Sequence, residues 1–434
     1  MILAILLVLF SIFLISGTPI FIAIGMASVM AITFSGDLPQ TITITRLVGG
    51  LDRFAVMALP FYIFAAGIMD VGGLSERIVG WAKSLVRGIT GGMAVATEIA
   101  CMAFGALSGS SPATVVAIGR IIVPRLEKEG YDKGFIAGLI TSSGSIASII
   151  PPSISMMLFA AATGVSTGAL FIGGILPGIL YGTMGALYCI WYAKRNKIKE
   201  RNVINTNPSD IPDNFLVATR KAIWALGVPV IIIGGIYGGI VTPTEAAGFS
   251  AIYALFVGVF IYKKIGLHEF IAICEKSVTT IAQVMILISV ASIFAWLLTI
   301  MQLAQKLTVM IGESASSYLF LMMVNIILLI LGMFMDPNSL IIILGPIFYT
   351  VGLTFGLSPT HLGVIMTMNL AIGMFTPPFG LNLFVANTVI DVPMVKIYRT
   401  VIPFIIVSII TLLLVTYIPK VTLFLPSLIY GPNI

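Results

Sequence analysis

Residues 105–119, GALSGSSPATVVAIG, put a short polar segment inside strongly apolar sequence. The flanking arms, residues 92–107 and 113–124, are apolar and helix-forming, and they contain 16 and 12 residues. Neither arm crosses a bilayer alone, because a spanning helix needs about 20 residues. The pattern predicts a re-entrant helical hairpin whose tip lies near the middle of the membrane; the alternative is a surface loop between two short helices.

The tip of this hairpin offers hydroxyl and backbone groups in place of apolar side chains. Ser108, Gly109, Ser110 and Ser111 interrupt the helix, and Pro112 follows them. Irregular backbone at membrane depth is tolerated only where it is buried in protein or lines a water-filled cavity. Interrupted helices of this kind hold ions and substrates in transporters. The segment is therefore a candidate binding site.

The composition places the chain in the membrane. Of 434 residues, 59% are apolar and only 9% are charged, with 43 glycines and a mean hydropathy of +1.11. Soluble domains are about 25% charged, so a polytopic membrane protein is expected. The net charge of +6 does not indicate nucleic-acid binding, because the 23 Lys and Arg are scattered at segment ends. Cys101, Cys189 and Cys274 lack metal-ligand spacing and are interpreted as packing residues.

The chain divides into apolar segments on either side of one hydrophilic linker. The first 34 residues lack a leader-peptide pattern and are expected to be retained, broken in two at Gly17-Thr18-Pro19. Residues 73–87 and 303–312 are predicted to be amphipathic helices in the membrane interface, and 267–276 a connector. The predicted divisions are residues 1–54 (N-terminal spans and connector, scaffold), 55–193 (first repeat), 194–214 (cytoplasmic linker), 215–280 (scaffold spans), 281–420 (second repeat) and 421–434 (C-terminal tail).

Each repeat is predicted to contain a hairpin followed by a helix that breaks in the middle of the membrane. In the first repeat these are residues 92–126 and 133–163, and in the second 315–356 and 359–389. The breaks fall at Pro-Pro pairs, which cannot continue a helix. The second hairpin has arms of about 18 residues around its tip, so two full spans stay open there as an alternative.

Short motifs recur in the two halves at offsets between 224 and 230 residues. The distance from the hairpin proline to the Pro-Pro pair is 39 residues in one half and 40 in the other. Five crossings separate the starts of the repeats, and an odd number makes the repeats inverted. The matched motifs are Thr18-Pro19 with Thr242-Pro243, Ile63-Phe64-Ala65 with Ile293-Phe294-Ala295, Pro112 with Pro337, and Pro151-Pro152 with Pro377-Pro378.

The basic residues predict the orientation. If the linker is cytoplasmic, 19 Lys and Arg lie on the cytoplasmic side and four lie outside, namely Arg46, Arg53, Lys306 and Lys420. This distribution obeys the positive-inside rule. The first hairpin then enters from the cytoplasm and the second from outside, and their tips meet beside the two breaks.

These tips and breaks predict two sodium sites, because carbonyl oxygens of unwound helices and nearby hydroxyls coordinate sodium in transporters. Sodium is expected only as a coupling ion, with no other cofactor or metal. The first site is predicted from Ser108, Gly109, Ser110, Ser111, Gly144, Ser145, Ala147 and Ser148. The second is predicted from Gly332, Met335, Asp336, Asn338, Gly373, Phe375 and Thr376.

Asp336 is the only acid at either tip, and two roles stay open for it. It is an ion ligand, as intramembrane carboxylates often are, or a cap on the returning helix. Helix N-termini after both tips favour an anionic substrate. The residues predicted to donate hydrogen bonds to that substrate are Ser110, Thr114, Asn369 and Asn382.

Four other polar residues are interpreted as structural. Glu98 is expected to be satisfied by a backbone group or a lysine, with no catalytic role. Glu245 follows Thr242-Pro243 and is expected to cap a helix start. His268 and His361 lie far apart at segment ends and predict no metal site.

Four motifs together resemble the large membrane subunit of tripartite ATP-independent periplasmic (TRAP) transporters, over nearly the whole chain. They are GALSGSSPATVVAIG, the broken helix with IIPPS, GGIVTPTEAAGFSAIYA and GMFTPPFGLNLFV. The resemblance implies a multi-pass protein of the bacterial inner membrane. It also implies an elevator-type symport mechanism, in which a transport domain that carries the hairpins slides against a scaffold, driven by sodium.

The same resemblance implies two protein partners, a small membrane subunit and a periplasmic binding protein that delivers the substrate. Substrates of the family are organic acids such as C4-dicarboxylates, other carboxylates and sialic acids, and the choice among them stays open.

The main alternative is a stand-alone sodium- or proton-coupled dicarboxylate symporter. An intramembrane hydrolase that used a serine of SGSSP would need a His or Lys base near that serine. A passive channel would not need the two matched hairpin tips. ATP hydrolysis is not expected, because no GxxxxGK[ST] loop is present.

Overall fold

The computed structural model describes residues 2–36, 38–198, 214–303, 305–306, 309 and 316–431. Regular structure within these residues is entirely helical, which confirms the all-α prediction. Several predictions lie outside the described residues: most of the linker at 194–214, most of the interfacial helix at 303–312, residue 315 at the start of the second hairpin, and 432–434 of the tail.

The first half contains ten helices. Asp132, Ser153 and Ser166 begin three of them, because their side-chain oxygens accept hydrogen bonds from backbone amides of the first turn. The helices are α1 (Ile2–Ile15), α2 (Ile20–Ser35), α3 (Thr41–Leu51), α4 (Phe54–Val71), α5 (Leu74–Leu85), α6 (Gly92–Ser108), α7 (Ser111–Lys128), α8 (Lys133–Ser145), α9 (Ile154–Thr163) and α10 (Thr167–Arg195). A 3₁₀ turn, Ile146–Ser148, follows α8.

The described residues of the second half form nine further helices of seven or more residues, and a short helix, Gly235–Tyr237, extends the first of them. Two of them, α11 and α12, continue through a wide π turn, at Val230–Gly234 and Val257–Ile261 respectively. The helices are α11 (Phe215–Pro229), α12 (Pro243–Phe256), α13 (Leu267–Ile300), α14 (Ser317–Gly332), α15 (Pro337–Thr354), α16 (Pro359–Gly373), α17 (Leu381–Asn387), α18 (Met394–Tyr417) and α19 (Lys420–Tyr430).

Six helices in the described part of the chain are long and apolar enough to cross a membrane. The pair α3 and α4, which meet at an angle of 52°, provides a seventh if it counts as one bent span. The two hairpins, α6–α7 and α14–α15, and the two broken helices, α8–α9 and α16–α17, lie where the sequence predicts them. The Pro-Pro pairs at both breaks, 151–152 and 377–378, are cis.

Three sequence predictions differ from the structure. The connector expected at 267–276 is wrong, because α13 runs unbroken over 34 residues that contain no Gly or Pro. The returning arm of the first hairpin passes Pro124 and ends at Lys128. Residues expected as a plain tail form α19, which packs on α10. The division into scaffold and repeats stays a prediction.

The two hairpins and the two broken helices pack with α10, α18 and α19, and this group also packs on the remaining helices, with α5 on α6 and α4 on α6 and α9. We call α6–α10 and α14–α19 the hairpin body, and α1–α5 and α11–α13 the frame. Within the hairpin body the repeats interlock, since α7 packs on α17 and α15 packs on α9. Each returning hairpin arm therefore contacts the second half of the broken helix from the other repeat.

Asp132 holds the start of α8 to the start of α18. Its Oδ2 accepts hydrogen bonds from the amides of Gly134 (2.7 Å) and Phe135 (3.3 Å), and its Oδ1 lies 2.8 Å from Nζ of Lys396. Partial burial raises the pKa of Asp132, but the hydrogen bonds and the charge of Lys396 bring the pKa below its ordinary value. The ordinary pKa of an aspartate is about 3.9. Asp132 therefore stabilises the fold fully at pH values above this pKa, and the stabilisation is lost as the pH falls through the lowered pKa of the folded state.

Replacing Asp132 by alanine is expected to lower the free energy of unfolding by about 1 kcal/mol, because the cap is lost. Asp132→Asn keeps a capping oxygen and removes only the pair with Lys396, in which both side chains are about half exposed; it is expected to cost no more than about 0.5 kcal/mol. The midpoint of thermal unfolding at neutral pH measures both. Equal midpoints for wild type and Asp132→Ala would contradict the capping role.

Candidate functional site

The first hairpin tip contacts the first break through backbone. Gly109 has φ +57°, and a Cβ added there would overlap the carbonyl oxygen of Pro152. One turn earlier, a Cβ on Gly105 would lie 2.7 Å from Cα of Ala147. These positions exclude side chains on the inner face of the tip. The backbones of the hairpin tip and the break therefore lie in close contact at the first predicted sodium site.

Hydroxyl groups at this tip bond to each other and to the tip backbone. Ser108 Oγ lies 3.1 Å from Thr114 Oγ1, and Thr114 donates to the carbonyl of Ser110 at 2.9 Å. The backbone amide of Ser110 donates to Ser108 Oγ at 3.3 Å. Thr114, predicted to bind substrate, therefore uses its hydroxyl proton within the tip.

Asn382, at the start of α17, ties the second break to the first tip. Its Nδ2 donates to Ser111 Oγ (2.7 Å) and to the carbonyl of Thr141 (3.1 Å). Its Oδ1 is buried and has no hydrogen-bond partner. A buried amide oxygen without a donor is an unsatisfied acceptor, which a bound cation would satisfy. The structure therefore places Asn382 beside Ser111, one of the residues predicted for the first sodium site, and its predicted contact with substrate stays a prediction.

The residues of the first break that were predicted to bind sodium face two different neighbours, the hairpin tip and α10. Gly144 packs against Val115 of the hairpin. The Ser145 hydroxyl lies 3.0 Å from the hydroxyl of Tyr181 on α10, and the carbonyl of Ser148 accepts from Ser153. Gly144 and Ala147 thus face the tip, while the Ser145 side chain faces α10.

The second tip repeats the backbone contact. A Cβ on Gly373 would lie 2.7 Å from Cα of Gly332, so this pair is the counterpart of Ala147 and Gly105 in the first repeat. Phe375 is fully buried, and the hydroxyl of Thr376 donates to the carbonyl of Ile372 at 2.7 Å. Both lie in the turn that follows Gly373.

Asp336 caps α15 at this tip. Its Oδ2 accepts from the amide of Ser339 at 3.0 Å and from its hydroxyl at 3.2 Å. The capping role left open by the sequence is confirmed, and a further role as an ion ligand stays a prediction, as it does for Met335. Asn338 Oδ1 accepts from the hydroxyl of Ser155 on α9 at 3.3 Å. The second tip is thus linked to the first break.

Asn369 belongs to a different network from Asn382. Its Nδ2 donates to Oδ1 of Asn325 (2.7 Å) and to the carbonyl of Ile365 (2.9 Å). Asn325 in turn donates to Oγ1 of Thr416 at 3.1 Å. The amide hydrogens of Asn369 therefore join α16 to α14, one turn before the break.

The residues interpreted as structural have mixed outcomes. Glu245 forms the predicted cap, since its Oε2 accepts from the amide of Thr242 at 2.7 Å and its own amide donates to the Thr242 hydroxyl at 3.3 Å. His361 is buried, with Nδ1 2.6 Å from Thr422 Oγ1. For Glu98 the expectation is wrong at Oε2, which is buried and has no hydrogen-bond partner.

A cavity of about 320 Å³ lies between the frame and the hairpin body. Its walls come from α3 and α13 on one side and from α9 and α15 on the other. Two arginines face it: the Arg46 guanidinium lies 5.2 Å from the ring centre of Trp296, and Arg53 donates to the carbonyl of Ala161. No Asp or Glu of the described chain lines this cavity, so its walls are positively charged.

Residues 7–421 match the family model described as "Tripartite ATP-independent periplasmic transporter, DctM component". The chain belongs to this family. The match confirms the resemblance to the large membrane subunit of TRAP transporters. The DctM assignment rests on 415 of the 434 residues, so it covers both hairpins, both breaks and the cavity.

This chain has three relatives, among others, that are named as TRAP permeases. It is 39% identical to the C4-dicarboxylate TRAP transporter large permease protein DctM of Pseudomonas aeruginosa, over 93% of this chain and 94% of that protein. It is 39% identical to the isethionate TRAP transporter permease protein DctMQ of Oleidesulfovibrio alaskensis, over 96% of this chain but only 65% of that protein. It is 32% identical to the sialic acid TRAP transporter large permease protein SiaM of Vibrio cholerae, over 96% and 97%.

The DctM fold is similar to one seen in a crystal structure. The Alcanivorax borkumensis YdaH transporter superposes with a TM-score of 0.60 over 90% of this chain and 89% of that chain, at 16% sequence identity. At this identity the likeness shows the fold alone. It supports the prediction of a multi-pass α-helical membrane protein with inverted repeats.

Sequence reasoning about this DctM component missed the cavity and the partners of Asn382. Arg46 and Arg53 carried a signal, because they are two of only four basic residues predicted to lie on the external side of the membrane. Asn325 carried another, because it is an amide within an otherwise apolar helix. Neither signal identified a contact across the fold.

Proposed function

We propose that this chain is the permease of a sodium-coupled uptake system for an organic acid in the bacterial inner membrane. A periplasmic binding protein delivers the acid, and a small membrane subunit completes the system. The observation that carries the proposal is the cavity with Arg46 and Arg53 in its wall and no acidic residue among the described residues that line it.

This cavity suits a small anion. Its volume of about 320 Å³ lies at the lower end of the range for small-molecule sites. A guanidinium has five N–H donors in a planar fork, so Arg53 can bond to the Ala161 carbonyl and still bind a carboxylate or sulfonate. Among the relatives, three are named for C4-dicarboxylates, isethionate or sialic acid, which are all anions at neutral pH.

The position of the cavity supports an elevator mechanism. One wall belongs to the frame (α3 and α13) and the other to the hairpin body (α9 and α15). If the hairpin body slides against the frame, the α9 and α15 wall moves past the α3 and α13 wall. Substrate held at this boundary would then lose or gain its arginine contacts as the body moves.

Sodium coupling is supported by the oxygen chemistry at the first tip. The unpartnered Oδ1 of Asn382, the hydroxyl of Ser111 and the carbonyls of the adjacent break are neutral oxygens of the kind that bind sodium in transporters. Sodium bound there would satisfy the unpartnered Oδ1 of Asn382. It would also hold the first hairpin to the second break, through Ser111 and Asn382.

The partner subunits are inferred from the family and from the relatives. The isethionate relative carries the name DctMQ, and this chain spans 65% of it. We infer that the additional length of that relative contains a small subunit, and that the present chain works with a subunit of this kind.

Uptake into vesicles tests the proposal. Vesicles containing this chain, its small subunit and its binding protein would be given labelled succinate, isethionate or sialic acid, with an inward sodium gradient or an equal potassium gradient. Accumulation of one of these acids is expected only with sodium and only with the binding protein. Equal accumulation in potassium would overturn sodium coupling, and accumulation without the binding protein would instead support a stand-alone symporter.

A further inference from the structure

Glu98 is a buried acid that the proposed transport site does not use. It lies on α6, seven residues before Gly105, and only 1% of its surface is exposed. Its Oε2 has no hydrogen-bond partner. Gly185 on α10 provides the space for the carboxyl, because a Cβ at position 185 would overlap it. The side chain is therefore packed into the stem of the first hairpin, away from solvent.

The group facing this carboxyl is a second unsatisfied side chain. The hydroxyl of Ser143, on α8, faces Glu98, and Ser143 Oγ is also buried without a hydrogen-bond partner. The titratable groups that interact with Glu98 are Cys101 on the same helix and Tyr181 and Cys189 on α10. On the other helices packed against α6, no charged side chain in the described ranges contributes to the surroundings of the carboxyl.

The inverted repeat shows which chemistry this position accommodates. Seven residues before Gly332, the counterpart of Gly105, stands Asn325; four residues before Gly373, the counterpart of Ala147, stands Asn369. Ser143 likewise lies four residues before Ala147. Asn325 and Asn369 are joined by a hydrogen bond of 2.7 Å. The pair Glu98 and Ser143 is therefore the counterpart of a neutral amide pair.

An ionised carboxylate does not fit this position. A carboxylate only accepts hydrogen bonds, and burying one without a paired cation is very costly. A neutral carboxylic acid has one O–H donor and one carbonyl acceptor. It therefore resembles a side-chain amide, which also has both a donor and an acceptor. Neutral Glu98 can therefore bond to Ser143 as Asn369 Nδ2 bonds to Asn325 Oδ1 in the counterpart pair, where Asn369 Oδ1 has no hydrogen-bond partner.

We propose that Glu98 and Ser143 form a proton-binding site in the stem of the first hairpin, within the hairpin body. The proton is held on the Glu98 carboxyl and is shared by a hydrogen bond with Ser143 Oγ. Release of the proton leaves a buried negative charge with no cation of the described residues beside it. As a result α6 packs less tightly on α8 and α10. Tight closure of the first hairpin is therefore linked to protonation of Glu98, in addition to the sodium and substrate of the proposed function.

Infrared spectroscopy of the purified full-length chain tests the site without any substrate. Glu98→Gln keeps a donor and an acceptor, as Asn325 does, and is expected to fold like the wild type. The wild type minus Glu98→Gln difference spectrum should contain the carbonyl band of a protonated carboxylic acid, which shifts in heavy water. Glu76→Gln, which removes an exposed carboxyl from α5, should leave that band in place. Absence of the band at every pH at which the protein is folded would overturn the proposal.

Two further measurements keep the test independent of how well Glu98→Gln folds. Ser143→Ala should move the carbonyl band to higher frequency, because the acid loses its hydrogen-bond partner; an unmoved band would remove Ser143 from the site. Hydrogen exchange of the wild-type peptide 92–108, corrected for the intrinsic rate, should accelerate about tenfold per pH unit above the titration point, the slope for one proton. Exchange that does not depend on pH would contradict the link to hairpin closure. Failure of sodium-driven uptake would affect neither result.

Discussion

Gly109→Ala is expected to abolish uptake and to destabilise the protein by about 2–5 kcal/mol. The left-handed conformation of Gly109, φ +57°, costs an L-residue about 1–2 kcal/mol. In addition, the new Cβ would overlap the carbonyl oxygen of Pro152, and overpacking a tight contact costs about 1–3 kcal/mol. Because the neighbour is backbone, the contact is relieved only if the tip separates from the break.

Gly130→Ala is the matched control for this substitution. Gly130 also has positive φ (+87°), but a Cβ there meets no atom within 4 Å. It follows the returning arm of the same hairpin, and Gly130→Ala is expected to cost only the conformational part, about 1–2 kcal/mol. The midpoint of thermal unfolding and the rate of uptake separate the two effects. Equal losses in both variants would mean that the contact between tip and break has no special role.

Removing either cavity arginine is expected to weaken substrate uptake by about 10- to 150-fold in apparent affinity. Arg46→Gln and Arg53→Gln each remove one charged hydrogen-bond donor group, and hydrogen bonds to charged groups contribute about 1.5–3 kcal/mol. Arg53→Gln also loses the bond to the Ala161 carbonyl. It is therefore expected to slow transport as well as to weaken binding.

The concentration dependence of uptake measures this effect, with whichever acid the vesicles accumulate. Lys420→Gln is the control, because Lys420 is an exposed cation on the same predicted side of the membrane and outside the cavity. Arg46→Lys keeps the charge but loses the planar fork, so an intermediate affinity is expected. If Arg46→Gln and Lys420→Gln have the same affinity as the wild type, the cavity is not the substrate site.

The two repeats can be compared residue by residue. The close glycine contacts, Gly105 with Ala147 and Gly332 with Gly373, put the two hairpins in the same register on their broken helices. Residues at equal distances from these contacts can therefore be compared directly. In this way Asn325 and Asn369 indicate that a neutral pair belongs where Glu98 and Ser143 stand.

The contact of Arg53 with Ala161 joins the frame to the hairpin body beside the cavity. In the proposed function a substrate anion binds the remaining N–H donors of the same guanidinium. Arg53 would then link the substrate to the hairpin body through the Ala161 carbonyl.

The amino-acid sequence by itself determined the membrane class, the first hairpin, the two breaks and the inverted repeat, whereas it left two full spans open at the second hairpin. These features depend on local backbone chemistry: apolar arms too short to span, prolines that cannot continue a helix, and glycines and serines that end one. For the same reason the start of α12 at Thr242-Pro243, with its Glu245 cap, could be predicted. The continuous α13 was missed because its polar first turns resemble a connector, although the 34 residues contain no Gly or Pro to end a helix.

Only the tertiary structure decided which side chains meet. Asn382 bonds to Ser111 across 271 residues of sequence, and Asn338 accepts from Ser155 across 183. The cavity arginines face α9 and α15 from a different part of the chain. Such contacts depend on how helices pack side by side, and helical spacing in the sequence says which face is apolar but not which neighbour it meets.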